Sequence, residues 1–422
     1  MAREPEQLTP LEDVQALVLR HCRPLPPGEV GLDDALGLVL AADVVAGEDV
    51  PPFANSAMDG YAVRAADTEA APVELVVAGV LAAGAAPTVV VRPGSAVQIM
   101  TGAPMPEGAD AIAIVERTEV AASGRVRVLD RVEAGMHVRS AGSDLRAGSV
   151  VAPAGTLLTP EILGVIASTG AASVRAHPRP RVGVMATGDE LVDVGPTSLA
   201  PGQIRDSNRH ALLARLRRDG FDAVDLGVVP DREDAVRSAV ERAVETCDAV
   251  LSTGGVSMGE FDYVKVVLDS LATTGPNRGS AYQLAVAIRP AKPLSLAFLP
   301  RGDSEVAIFG LPGNPVSSLV SYLVIARVGL LALGGFRGEK PATLRAVAAE
   351  GLTRRPGDGK LHLVRVRVEP AEDGRLVARP SGGQMSHQLG AMAAANALAL
   401  LPDGPGAEPG DALDVLVFGD LP

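Results

Sequence analysis

Three polar, glycine-bearing segments follow apolar runs. They are Thr187-Gly188-Asp189-Glu190 after RVGVMA, the segment STGGVSMGEFD with Gly254, Gly255, Ser257 and Asp262, and GLPGNPVS with Gly313, Asn314 and Ser317. Glycine lets a backbone approach a ligand, and the start of a helix offers free N–H groups to an anion. Taken singly, each segment favours an ordinary strand-to-helix turn. Three on one sheet edge instead predict an anion site, although none is a P-loop or a GxGxxG fingerprint. Just ahead of the last one, AIRPAKP carries Arg289, Lys292 and Pro293. A forked guanidinium and a point-charge ammonium suit a tetrahedral oxyanion; on its own the pair fits a solvated strand end better. Hard oxygens near a phosphate suit Mg²⁺, and Asp59, Glu190 and Asp262 are the candidates. Asp59-Gly60 also reads as a hairpin turn. The six histidines show no ligand spacing, and no nucleophilic Ser or Cys constellation is visible.

These segments need a scaffold. Between Arg181 and Gly335, apolar runs alternate with helical patterns: RVGVMA, then NRHALLARLRRDG; AVDLGVV, then DREDAVRSAVERAVETC; AVLS, then FDYVKVVLDSL. That order predicts a parallel sheet covered on both faces. Asp231 is expected to open the second helix, and Pro315 to begin the last at its first turn. Leu11, Val14, Leu17 and Val18 define an N-terminal helix. The helical patch at 159–169 is expected to pack against it. Short apolar runs between Val73 and Val151, and again beyond Pro341, predict β-rich domains. The fold class is therefore α/β and β, multidomain.

The chain has 422 residues, 47% of them hydrophobic, and a net charge of -13. The length predicts two or more domains. The acidic balance, with no Trp and 3% aromatics, argues against a nucleic-acid or anionic-membrane binder. Cys22 and Cys247 form neither a metal spacing nor a disulfide framework, which suits a reducing cytoplasm. The N-terminus MAREPEQLTP lacks the apolar core of a signal peptide. The apolar stretch Leu319 to Leu333 is too short for a membrane span and reads as a buried helix.

An ordered set of motifs carries a family resemblance: FANSAMDGYAV, MTGAPMPEGADAI, GSDLRAGSVV, ATGDEL, RDSN, STGGVSMGEFDYV, RPAKP, GLPGNPVSS and SGGQMSHQLGAMAAANALALLP. Together they resemble the bacterial molybdopterin molybdenumtransferases and the E domain of gephyrin, over nearly the whole chain. The resemblance implies a homodimer of four subdomains: residues 1–45 with 146–178, residues 46–145, residues 179–328 and residues 329–422. It implies an active site between the α/β subdomain and the partner subunit's β-rich subdomain. Asp59 would face the substrate there, with Phe53 and Tyr61 anchoring its loop.

The implied reaction inserts molybdate into adenylated molybdopterin with Mg²⁺, releasing AMP. Asp59, Glu190 and Asp262 would position Mg²⁺ and water. Arg289, Lys292, Pro293 and Ser317 match positions for oxyanion or molybdate. Thr187, Gly188, Gly254, Gly255 and Ser257 would cradle pterin phosphate or nucleotide, beside Gly313 and Asn314. The upstream adenylyltransferase and acceptor molybdoenzymes are the implied partners. The family commonly reads KPGKP where this chain has RPAKP. Arg289 thus keeps the charge with a different geometry, and Ala291 replaces a freer glycine; both bear on molybdate against tungstate. Two alternatives are a molybdopterin adenylyltransferase, disfavoured by the flanking domains, and a non-catalytic scaffold, disfavoured by the intact carboxylates.

Overall fold

The computed structural model describes residues 7–195, 198–255, 262–274, 278–336, 343–354 and 356–421. The chain divides into two compact units, one of Glu29–Ala176 and one of Met1–Gly28 with His177–Pro422.

The larger unit is built on a six-stranded sheet. Four strands run parallel, in the order Asp222–Val229, Arg181–Thr187, Ala249–Thr253, Ser304–Leu311. Pro293–Arg301 and Ser280–Ala285 then extend one edge antiparallel. The expected parallel sheet is thus a mixed one. A tight turn joins Arg301 to Ser304, and a connection that short can only return the chain antiparallel.

Side chains on the central strands alternate between the two faces. Val182, Val184, Leu251 and Phe309 meet Leu212, Leu213 and Leu216 of helix Asn208–Arg218. Met185, Val250 and Ile308 meet Val236, Val240, Val264 and Val267 of helices Glu233–Thr246 and Tyr263–Thr274. Both faces are covered, so these strands read as nearly continuous apolar runs.

Pro315 opens its helix at the first turn, as expected, although a short helix, Leu389–Ala394, follows later in the chain. The Pro315 helix continues through a π-helical segment, Tyr322–Ala326, to Leu333. The 19 residues Pro315–Leu333 have the length and composition of a membrane span, contrary to the shorter stretch read from sequence, but 78% of their most apolar window is buried inside the protein, as expected of a buried helix. The N-terminal helix Leu11–His21 packs on it, and Gln15 Nε2 donates to the Val324 carbonyl at 2.7 Å. The expected partner, helix Pro160–Ser168, instead buries Ile166 with Leu38, Leu158 and Val174 in the other unit. Gly329 accounts for the choice: a Cβ there would stand 2.6 Å from Val18 and 2.9 Å from Cys22.

A second six-stranded sheet occupies the C-terminal residues, with Val366, Val368, Leu401 and Val415 in its core. The short strand Ile288–Arg289 joins it, parallel to Leu361–His362. In the unit Glu29–Ala176, strands Gly60–Val63 and Ser95–Ile99 lie within a further six-stranded sheet over Tyr61, Val63, Leu75 and Val126.

Candidate functional site

Parallel strands that pair in register end level with one another. Ala186 lies beside Thr253 and Thr253 beside Leu311, so the three polar segments leave the sheet side by side. They close around a cavity of about 160 Å³ whose lining includes Thr187, Glu190, Asn208, Thr253, Gly254 and Gly313. The glycines are required here. Gly254 has φ +96°, and a Cβ would lie 2.4 Å from the Thr187 carbonyl oxygen. Gly255, at φ +64°, would put one 2.8 Å from Val264. Thr187 Oγ1 is buried and unpartnered, a hydroxyl left for a ligand. Asn314 precedes the helix without capping it through its side chain, and Ser317 is buried one turn further in. Ser257 lies outside the described residues.

Carboxylates gather beside this cavity. The Glu190 carboxylate folds over Gly188, where a Cβ would come within 2.6 Å of it. Asp231 N–H donates to Asp189 Oδ1 at 3.0 Å. Burial raises the Asp231 carboxyl above the usual carboxylate range, and the charges of Asp189, Glu190 and Asp262 push it further. Asp231 Oδ1 is buried and unpartnered. Asp231 was expected to open helix Glu233–Thr246, but Arg232 holds the cap position and no side chain caps. Its place just after strand Asp222–Val229, on the same carboxyl edge as the other loops, was the signal that it would join them.

The donor set fits Mg²⁺. Asp231 is pushed up by three acidic neighbours, and its buried Oδ1 has no partner, a strain that a cation would relieve. Among the described residues no three His, Cys, Asp or Glu side chains stand ready to hold a metal by themselves. That suits an ion which keeps its waters and takes only one or two carboxylates alongside substrate phosphate.

Arg289 lines a different cavity, of about 700 Å³, with Thr353, Arg354, His362, Gln384 and Met385. Nearby, Arg365 is fully buried. Its Nη2 donates to the Gly383 carbonyl at 2.7 Å, while Nε and Nη1 are unpartnered. Lone buried guanidinium donors favour an anion. Alternation within LHLVRVRV disguised Arg365 as an outward strand residue. The Val316 N–H donates to the Ser386 carbonyl, which links the start of the Pro315 helix to the 383–388 loop beside Arg289. Lys292 is half-buried, and its carbonyl accepts from Val286 N. Pro293 begins a strand, opposite Ala285. Ala291 adopts φ +80°, a region that disfavours residues with a Cβ.

Asp59 belongs to the other unit. Its Oδ1 accepts from Thr101 N at 2.6 Å and Thr101 Oγ1 at 2.7 Å. These two bonds hold its carboxyl below the usual range. Thr101, from TGAPMP, is a partner the sequence did not reveal. Gly60 is no hairpin residue: it lies in strand Gly60–Val63, where a Cβ would meet the Ala113 carbonyl oxygen at 2.1 Å. Tyr61 anchors the segment in the core, but Phe53 does not, since it is 46% exposed.

Thr187, Glu190, Gly254 and Gly313 are therefore brought to one cavity, with Gly188 and Gly255 supporting its walls. Asp262 approaches through Asp231. Arg289 stands apart in its own cavity.

Comparison with known proteins covers most of the chain. Residues 9–170 match the MoeA N-terminal region (domain I and II), residues 183–330 a probable molybdopterin binding domain, and residues 345–418 the MoeA C-terminal region (domain IV). Molybdopterin molybdenumtransferase 2 of Mycobacterium tuberculosis is 37% identical over 397 residues, spanning 92% of this chain and 94% of the relative. Molybdopterin molybdenumtransferase of Bacillus subtilis is 33% identical over 424 residues, spanning 98% and 95%. The crystal structure of a molybdopterin biosynthesis MoeA protein from Pyrococcus horikoshii matches with a TM-score of 0.77 at 28% identity, covering 98% of this chain and 100% of that one.

Proposed function

The chain belongs to the molybdopterin molybdenumtransferase family, enzymes of molybdenum cofactor biosynthesis, and from that premise we propose that it inserts molybdate into adenylated molybdopterin, with Mg²⁺-assisted release of AMP. The observation that carries this reading is the pairing of a glycine-walled cavity with a cluster of acids, one of them held above its usual range. A cavity for phosphate beside acids that need a cation is what cleavage of a phosphoanhydride requires.

Thr187, Gly188, Gly254, Gly255, Ser257, Gly313 and Asn314 bind the phosphate-bearing part of the substrate through backbone N–H and hydroxyl groups. One or two of Glu190, Asp231 and Asp262 would hold Mg²⁺, and the remaining acid would orient water. When bound, Mg²⁺ supplies positive charge against the phosphoanhydride oxygens. Asp59, ionised because Thr101 bonds to its charged form, faces this chemistry from the partner subunit of a homodimer. Arg289, Lys292 and Pro293, with Arg365 and Ser317 nearby, receive molybdate. The four-subdomain division, a cytoplasmic location, and contact with an upstream adenylyltransferase and with acceptor molybdoenzymes belong to the same proposal.

The test is AMP release from adenylated molybdopterin with and without Mg²⁺ and molybdate. Release that needs both, with the metal recovered on the dithiolene, is the expected result. Tight binding with no release under any combination would replace the reaction with a scaffold.

A further inference from the structure

The cavity owes its shape to a side chain that the reaction above does not use. Asn208, at the start of helix Asn208–Arg218, donates from Nδ2 to Thr253 Oγ1 at 2.8 Å and to the Gly313 carbonyl at 2.7 Å. A carbonyl only accepts, so the Gly313 contact fixes which end of the carboxamide is nitrogen, and both of its hydrogens are used. Thr253 Oγ1 donates onward to the Pro312 carbonyl at 3.3 Å. Two successive carbonyls are thereby drawn toward the end of strand Ala249–Thr253. In a trans peptide the following N–H points the opposite way. The N–H groups of Gly313 and Asn314 are thus turned outward, and neither donates to a described residue.

Asn208 is itself fixed from behind. The neighbouring Arg209 is 2% exposed and pairs with Asp206 at 2.8 Å and Asp193 at 2.8 Å, and also with Asp225. Three carboxylates on one buried guanidinium lock the first turn of the helix.

The geometry points to Asn208 as a positioning residue that, directly at Gly313 and through Thr253 at Pro312, orients the Pro312–Asn314 peptides so that two adjacent N–H groups face the phosphate-bearing part of the substrate. This rests on the reading above that the glycine-walled cavity takes adenylated molybdopterin.

The experiment is calorimetric binding of adenylated molybdopterin to the full-length protein, alongside AMP-release kinetics with both substrates varied. Asn208→Asp keeps the side chain's shape and cannot donate. It is expected to raise the Kd and KM for adenylated molybdopterin about 10- to 100-fold, the loss of two hydrogen bonds, with molybdate saturation unchanged. Thr253→Val should act in the same direction and Thr253→Ser should behave as wild type. The double variant Asn208→Asp/Thr253→Val should lose less than the sum of the two single losses, because the Asn208–Thr253 bond is shared.

Affinity within about twofold of wild type in Asn208→Asp, or equal losses for both substrates, would overturn the assignment. So would additive effects in the double variant. If Asn208→Asp fails to fold, the Thr253→Val and Thr253→Ser pair decides by the same affinities. Wild-type protein that binds but releases no AMP would sink the reaction and leave Asn208 to be judged on Kd alone. Wild-type protein that does not bind would sink both.

Discussion

Asp231 and Asp59 are carboxylates shifted in opposite directions, and the difference has measurable consequences. Burial and three acidic neighbours raise Asp231. A carboxyl raised in the folded state contributes stability below its unfolded pKa of about 3.9 and loses it as pH rises through the folded value. Asp231→Asn should therefore raise the melting temperature at pH 7 to 8, and the gain should vanish toward pH 4. The proposed Mg²⁺ would offset the same repulsion, so adding it should raise the melting temperature of the wild type but not of this variant; equal shifts would remove Asp231 from the proposed metal site. Asp59 is held low by Thr101 and stays ionised across neutral pH. Asp59→Asn should cut AMP release by about 100-fold or more while leaving the thermal transition in place. Near-normal turnover in that variant would take Asp59 out of the mechanism.

At the scale of elements, the RPAKP turn shows how one Cβ sets a local balance. Ala291 sits at φ +80° with its side chain buried. Ala307 is equally buried, but within strand Ser304–Leu311. Replacing Ala307 with glycine loses a buried methyl and gains chain freedom in the unfolded state, about 1–2 kcal/mol of destabilisation. Ala291→Gly suffers the same losses but relieves about 1–2 kcal/mol of left-handed strain. Denaturant titration should therefore place Ala291→Gly within about 0.5 kcal/mol of wild type and well above Ala307→Gly. The same comparison, repeated with molybdate and tungstate saturation, reads whether the turn's conformation governs the anion. The tight glycine walls of the cavity lined by Thr187 and Gly313 are the opposite case, because Gly254 meets a backbone carbonyl that cannot give way.

At the scale of the whole molecule, Asp59 and the acids Glu190, Asp231 and Asp262 belong to different compact units. The proposed homodimer completes each site with residues from two subunits, which complementation can test. Asp59→Asn and Asp262→Asn homodimers, each inactive, are mixed and allowed to exchange. Random reassortment makes half of the dimers mixed, each with one intact site, so roughly a quarter of wild-type activity should return. No recovery after exchange, verified by labelled subunits, would place each site within a single chain.

The sequence by itself determined a good deal. Strand-then-helix alternation from Arg181 onward defined the α/β unit, because strands buried on both faces must be nearly continuous in Val, Ile, Leu and Ala. Glycine-rich breaks after those strands located Thr187, Gly254 and Gly313, since backbone geometry at a strand's carboxyl end is a local matter. The resemblance, carried by motifs spread along the chain, supplied the family. What only the tertiary structure decided depends on residues far apart in sequence. Asp231 becomes unusual only once Asp189, Glu190 and Asp262 surround it. Thr101 reaches Asp59 across 42 positions. The parallel pattern broke at Pro293–Arg301, where a turn shorter than any crossover forced an antiparallel return. The N-terminal helix chose the helix bearing Gly329, a gap in its surface that no periodicity could announce. Asn208 looked like one more polar residue at a helix start until Thr253 and Gly313, 45 and 105 positions away, closed on its amide. Local patterns are set by the backbone and by hydrophobic period. The charges and hydrogen bonds that make a site are set by which loops the sheet brings side by side.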